Sequence, residues 1–278
     1  MIHFILNPNA GTNSQQKRAK IQRILAAVPD AKVWQTQKIN HAKELTQKAL
    51  AEGATKIIAI GGDGTVNEVA STLLHSQIPL GIIPMGSGNG LARHIGIPLS
   101  FEMALKRALN GTIITIDAGK WNDKIFFCTA GIGFDATVAA HFAQRGKRGF
   151  INYIFSTLVS LNYQAIEIKG KGPIFSLTVA NANQFGNNAY ISPESDLQDG
   201  LLEVIEIKPS HIWSLANLGI SLFRKKLHLH PLVTITTIKS MKFEAKQGIP
   251  YHLDGESLLL ENDSVEITIL PASLMVVK

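Results

Sequence analysis

Three short segments carry the residue types that hold phosphate: NPNAG at 7–11, GGDGT at 61–65 and PMGSGNG at 84–90. Glycine lets a backbone turn tightly and aim several N–H groups at one point. A helix starting just beyond adds its positive end. One such loop is weak evidence, because most Gly-rich turns are only turns. Three at one edge of one sheet are hard to ascribe to accident. Asp63 sits among the glycines of the second loop. It reads either as a helix N-cap or as a carboxylate that needs a cation, usually Mg²⁺, to share a cradle with phosphate.

Two acidic spots stand out further along. SPESDLQDGLLEV (192–204) places Asp196 and Asp199 in a turn before a strand, where carboxylate and carbonyl oxygens could hold a hard cation. HLDGESL (252–258) puts Asp254 and Glu256 either side of Gly255 between two strands. The plain reading of each is an Asp-Gly turn. The functional reading of the second is a general base, with the choice between Asp254 and Glu256 open.

Several chemistries are excluded. There is no G-x-x-x-x-G-K-[ST] phosphate loop, and the protein-kinase H-R-D and D-F-G sets are missing. GIGFDA (131–136) matches a dinucleotide fingerprint, but the window about 20 residues on, INYIFS (151–156), lacks the acid that would bind ribose. His228 and His230 alternate along what reads as a strand, without a third metal ligand. The single cysteine, Cys128, leaves no disulfide framework and no multi-Cys zinc site.

The elements that must position these residues alternate over the first 120 positions. Strands are expected at 2–6, 31–36, 56–60 and 79–84, and helices at 15–28, 41–52, 65–74, 91–97 and 101–110. Such alternation predicts a doubly wound, mostly parallel α/β sheet, with all three Gly-rich loops at the carboxyl ends of strands. From residue 112 the chain is β-rich, interrupted by helical stretches at about 135–163 and 210–223. This predicts a mainly antiparallel β-sandwich and two domains, 1–118 and 119–278, with the last strand (272–278) able to return to the first domain.

Charge and hydropathy bound the partners. The 278 residues carry a net charge of +6, with 45% apolar and 17% charged residues, a globular composition. Residues 1–120 hold 13 Lys+Arg against 7 Asp+Glu, whereas 121–278 balance at 14 against 14. A neutral C-terminal half argues against nucleic acid, and a basic N-terminal half suits a small polyanion such as a nucleotide. No run resembles a membrane span, and MIHFILNPNAG enters a strand with no basic leader, so a cytoplasmic chain is expected.

In order along the chain, NPNAG (7–11), GGDGTVNEV (61–69), PMGSGNGLARHIGIP (84–98), AGIGFDA (130–136), ISPESDLQDGLLEV (191–204) and LDGESL (253–258) resemble the diacylglycerol kinase catalytic family, in its bacterial soluble lipid kinase branch. GGDGT alone is shared with NAD kinases and phosphofructokinases; the later blocks make the resemblance specific. It implies a nucleotide domain like that of NAD and diacylglycerol kinases, a β-sandwich domain, and an active cleft between them. It implies ATP binding by Thr36, Gly61, Gly62, Asp63, Gly64, Thr65, Val66 and Asn67, and by the loop Gly86-Ser87-Gly88-Asn89. The family's structural Mg²⁺ falls on the Asp199 carboxylate with carbonyls of Asp196 and Leu201, and its proton acceptor on Glu256. Diacylglycerol-type members read G-T-x-N-D where this chain has Gly90 in the last place. That form looks more like the sphingosine kinases and leaves the acceptor lipid open.

The resulting expectation is phosphoryl transfer from Mg-ATP to a lipid hydroxyl, such as that of diacylglycerol, a related glycerolipid or a sphingoid base. Asp63 and Glu256 are the catalytic residues. The rivals are an NAD kinase-like enzyme and a nucleotide-binding regulator without catalysis. Oligomeric state is not legible, a homodimer being one option. A lipid substrate requires transient peripheral contact with a membrane. The candidates are HFAQRGKRGF (141–150) and IWSLANLGISLFRKK (212–226), whose stripe Ile212, Leu215, Ala216, Gly219, Leu222 and Phe223 lies beside Trp213 and before Arg224, Lys225 and Lys226. A core-facing helix is the plainer reading of that stripe.

Overall fold

The computed structural model describes residues 1–11, 15–144, 165–169 and 171–278. The chain divides into two compact units, Met1–Ile116 with Ala272–Lys278, and Asp117–Pro271.

The first unit alternates strand and helix: β1 (Ile2–Leu6), α1 (Gln15–Ala26), β2 (Ala31–Gln35), α2 (His41–Ala51), β3 (Lys56–Gly61), α3 (Asp63–Leu73), β4 (Leu80–Pro84), α4 (Gly90–His94) and α5 (Phe101–Asn110). The strands pair in parallel in the order β2-β1-β3-β4. Phe4, Ile5, Ile57, Ile58, Ile60, Leu80 and Ile82 are buried, as continuous apolar runs should be when helices cover both faces of a sheet. The strand order reverses beside β1, because the chain steps outward to β2 and then returns to the other side as β3. Loops leaving the carboxyl ends of β1 and β3 therefore diverge there, the place where open α/β sheets bind ligands. β5 (Ile113–Trp121) begins in this unit, and the end of β16 (Ser264–Val277) returns to it, with Val276 opposite Leu80.

The second unit contains β6 (Lys124–Phe126), β7 (Thr129–Gly133), α6 (Phe134–Gln144), β8 (Ile166–Glu167), β9 (Pro173–Ile174), β10 (Ser176–Ala180), β11 (Leu202–Ile207), α7 (Ile212–Phe223), a 3-10 turn (Leu227–Leu229), β12 (Val233–Ile238), β13 (Ser240–Glu244), β14 (Pro250–Leu253) and β15 (Glu256–Leu259). Six strands form an antiparallel sheet in the order β12-β11-β10-β7-β14-β15. β11 shows how it is buried on both faces. Leu202 and Val204 enter a core with Trp121, Phe126, Phe243, Val265 and Ile267 from β5, β6, β13 and β16. Ile205 and Ile207, pointing the other way, join Phe175 and Leu227 and receive Leu215, Leu218 and Leu222 of α7. Trp121 anchors the first core, stacked on Tyr251 at 5.4 Å and edge-on to Phe243 at 5.8 Å.

α6 is described over Phe134–Gln144; the rest of the helical stretch expected to 163 lies outside the described residues, as does 145–150 of the first membrane candidate. Two expectations change. His228 lies in the 3-10 turn with His230 just after it, and His230 is buried, so they do not alternate along a strand. The stripe expected on 212–223 splits: Leu215 and Leu222 pack inward with Leu218, whereas Ala216 and Phe223 are exposed with Trp213 and Ile220.

Candidate active site

The three Gly-rich loops of the first unit meet. β3 ends at Gly61, where an added Cβ would lie 2.5 Å from the Cβ of Thr65. Only glycine lets α3 turn back so sharply. Thr65 is buried and its hydroxyl accepts from Asn7 Nδ2 at 3.0 Å, joining the second loop to the first. Gly11, at φ 71°, passes so close to the Met85 carbonyl that a Cβ would stand 2.7 Å from its oxygen, joining the first loop to the third. Gly62 and Gly86 face each other, and a Cβ on Gly86 would sit 2.7 Å from Gly62 Cα. Met85 N donates to Gly61 O at 2.7 Å.

Asp63 ties the second and third loops. Its Oδ2 accepts from Asn89 N and its Oδ1 from Gly90 N, both at 2.8 Å. Gly62, not Asp63, occupies the N-cap position of α3. Asn89, at φ 54°, closes its own loop by accepting from Gly86 N at 2.9 Å and donating to Gly86 O at 2.8 Å. Arg93 Nε adds a bond to Gly88 O at 3.0 Å. Thr36, just past β2, is buried and donates its N–H to Leu6 O. Val66 is buried on α3, and Asn67 accepts from Ser71 Oγ at 3.2 Å. A cavity of about 500 Å³ opens beside the loops, lined by Gly11, Lys17, Lys20, Met85, Gly86 and Ser100 among others. The start of α5 at this cavity and the lysines at its rim, Lys20 there paired with Glu102 at 2.8 Å, make an environment suited to phosphates.

The second unit separates the two acids of the LDGES hairpin. Asp254 and Gly255 have φ of 47° and 84°, the left-handed pair that a two-residue hairpin requires. The Asp254 carboxylate accepts three backbone hydrogen bonds, from Phe127 N at 2.9 Å, Cys128 N at 2.7 Å and Thr129 N at 3.1 Å. It therefore fastens the hairpin tip to the segment between β6 and β7. Glu256 is exposed at the start of β15, paired across the turn with Leu253. A base needs solvent-side access to a substrate hydroxyl, and of the two acids Glu256 has it.

Behind the hairpin lies a buried pair that sequence reasoning passed over. Asp135, from the GIGFDA segment, accepts from Thr178 Oγ1 at 2.6 Å and lies 3.1 Å from His252 Nε2. Their side chains are 10% and 3% exposed, so this pair is part of the core. The signal available in sequence was an acid in an apolar strand-to-helix turn, a place where a carboxylate needs a partner.

The acidic turn is held by its own backbone. Asp196 accepts from Gln198 N at 3.0 Å, Asp199 from Leu201 N at 2.9 Å, and Asp117 from Gly200 N at 2.7 Å. Burial first, then the neighbouring Asp196 and Asp117 charges, pushes the Asp199 carboxyl above the usual range. Glu203 is raised too, first by burial and also by Asp199 and Asp196, although Ser195 Oγ donates to it at 2.5 Å. Carboxylates that resist ionisation together are those a hard cation would relieve. Among the described residues no three His, Cys, Asp or Glu side chains cluster as metal ligands, so a cation here would lean on backbone carbonyls. Asp199 with the backbone carbonyls of Asp196 and Leu201 is the oxygen donor set that the family resemblance assigns to a cation here.

An α/β unit with three converging glycine loops at its switch point, together with a β-sandwich unit carrying an acidic hairpin, is the organisation of a diacylglycerol kinase-type fold. A structure described as "Crystal structure of a putative diacylglycerol kinase from Bacillus anthracis str. Sterne" superposes with a TM-score of 0.80 at 23% identity, covering 99% of this chain and 94% of that one. Residues 1–121 match the family model "Diacylglycerol kinase catalytic domain", and residues 129–278 match "YegS C-terminal NAD kinase beta sandwich-like domain". Among curated relatives, "Probable lipid kinase YegS-like" of Pseudomonas fluorescens is 30% identical, with 95% of this chain and 90% of that protein covered. "Probable lipid kinase YegS" of Escherichia fergusonii is 30% identical, with 98% and 93% covered. The chain belongs to the diacylglycerol kinase catalytic family, in its YegS-type branch.

Proposed function

We propose that this protein is a lipid kinase that transfers the γ-phosphoryl group of Mg-ATP to a hydroxyl of a glycerolipid or sphingoid base. The observation that carries the reading is the locked meeting of the loops at 7–11, 61–65 and 84–90, with Asp63 bonded to Asn89 and Gly90, in a chain of this family. Backbone N–H groups of the 61–65 loop and of Ser87 and Gly88 hold the donor phosphates, Gly86 N and Asn89 N being spent on Asn89 Oδ1 and Asp63, with Thr36, Val66 and Asn67 completing the nucleotide contacts. Asp63 keeps the two loops in register.

Glu256 takes the proton of the acceptor hydroxyl as that oxygen bonds to the γ-phosphorus. The bond from phosphorus to the bridging oxygen breaks, and ADP leaves with the electron pair. Magnesium would supply charge neutralisation at the phosphates, and a second ion at Asp196, Asp199 and Leu201 would be structural. Among the described residues no helix is long and apolar enough to cross a membrane. We place the enzyme in the cytoplasm, reaching its lipid through peripheral membrane contact.

The test is incubation of the pure protein with labelled ATP and a total lipid extract, followed by identification of the labelled product. A phosphorylated lipid is expected. Phosphorylation of NAD in place of lipid would replace this reading with that of an NAD kinase. Retention of nucleotide with turnover of neither would replace it with that of a binding regulator.

A further inference from the structure

α7 spends one face on the core and leaves another apolar face in solvent. Leu215, Leu218 and Leu222 pack under the six-stranded sheet. The positions Trp213, Ala216, Asn217, Ile220, Phe223 and Arg224 follow one another at helical spacing and are all exposed. Trp213 is 80% exposed, Ile220 52% and Phe223 48%, and Leu229 just beyond the helix is 69% exposed. Three large apolar side chains on one outward stripe are not scattered singles.

Charge marks what meets this stripe. From residue 207 to 243 the chain holds six Lys or Arg (Lys208, Arg224, Lys225, Lys226, Lys239 and Lys242) and no Asp or Glu. The overall balance of the C-terminal half conceals this excess. Arg224 and Lys226 are exposed at the end of the stripe, while the Lys225 ammonium lies 4.4 Å over the Tyr190 ring. An isologous contact between two copies would lay this stripe against its own copy, in which the segment 207–243 offers no acid to meet Arg224 or Lys226. An anionic lipid surface supplies both the apolar layer for tryptophan, isoleucine and phenylalanine and the negative charge for the basic residues.

We propose that the outward face of α7, with Arg224, Lys226 and Leu229, is the docking surface of this protein on membranes containing anionic phospholipid. The inference rests on the lipid-kinase reading for its purpose but is measured without it. The protein is sedimented with vesicles of phosphatidylcholine alone or mixed with phosphatidylglycerol. Trp213→Ser/Ile220→Ser and Arg224→Glu/Lys226→Glu are compared with wild type. Wild type is expected to bind only the mixed vesicles, and each double variant to lose at least about tenfold in partitioning. Phosphorylation of vesicle-embedded lipid should fall with it, while that of detergent-dispersed lipid is kept.

Equal binding of wild type to both vesicles, no binding, or unchanged binding of both variants would overturn the proposal. So would a wild-type dimer that the apolar variant dissociates with no vesicle binding in either, which would assign the face to a second copy. If vesicle binding behaves as expected but no lipid is phosphorylated, the docking surface stands and the kinase reading fails.

Discussion

Asp63 and Asn89, 26 positions apart, are joined by a 2.8 Å hydrogen bond from the Asn89 amide to the Asp63 carboxylate, and Gly90 donates to the same carboxylate at 2.8 Å. Two loops leaving different strands are thereby held as one surface. A cradle for phosphate works by having its donors placed before the ligand arrives, and on the proposed reading this bond would serve catalysis by such preorganisation.

Asp63→Asn keeps the shape but halves the acceptor capacity and removes the charge. We expect kcat/KM for lipid phosphorylation to fall by about 10²- to 10³-fold. ATP affinity should weaken as well, because the 86–89 loop loosens. Calorimetric titration with a non-hydrolysable ATP analogue, beside steady-state kinetics, checks both. Tight binding with normal rates would remove Asp63 from the site.

Glu256 and Asp254 should separate cleanly. Glu256→Gln is expected to lower turnover by about 10²- to 10⁴-fold with an unchanged melting curve, since the side chain is exposed. Asp254→Ala deprives three backbone N–H groups of their acceptor and should cost about 3 kcal/mol of stability. Urea melts and initial rates on both variants decide the matter; equal loss of stability in the two would contradict the assignment.

The Asp135–His252 pair is expected to support the same hairpin from behind, because His252 sits on β14, four residues before Glu256. Removing one partner leaves a buried polar group without its bond, so His252→Ala should destabilise by about 1–3 kcal/mol. Asp135→Asn, which retains an acceptor for Thr178, should destabilise less. Chemical denaturation ranks the two.

The acidic turn is expected to make stability depend on pH and on divalent cations. The folded chain raises the carboxyls of Asp199 and Glu203 above their ordinary values of 3.8 and 4.5. Their contribution is thus fullest below those values and is lost as pH rises through the raised ones. In EDTA at pH 7, Glu203→Gln should therefore raise the melting temperature, with the gain vanishing toward pH 4. Magnesium should stabilise wild type at pH 7 and not at pH 4, and Asp199→Asn should abolish the effect. Calorimetric scans at both pH values test it, and a melting temperature indifferent to magnesium would remove the cation from this turn.

Local order along the chain was already enough to define much of this protein. The strand–helix alternation to residue 110, the glycine loops at strand ends and the β-rich second half all follow from hydrophobic period and turn chemistry, which neighbouring residues carry within themselves. The motif order likewise carried the family. What folding alone decided were the partners brought together from far apart. Asp63 turned out to bridge to a loop 26 residues away, and Asp254 to be consumed by amides more than 120 residues earlier, leaving Glu256 exposed. Asp135 found His252 across 117 residues. On α7, a stripe that read as one face divided, Leu215 and Leu222 going to the core and Ala216 and Phe223 to the outside beside Trp213 and Ile220. Helical spacing shows which residues share a side, but only the packed sheet beneath shows which side is already taken.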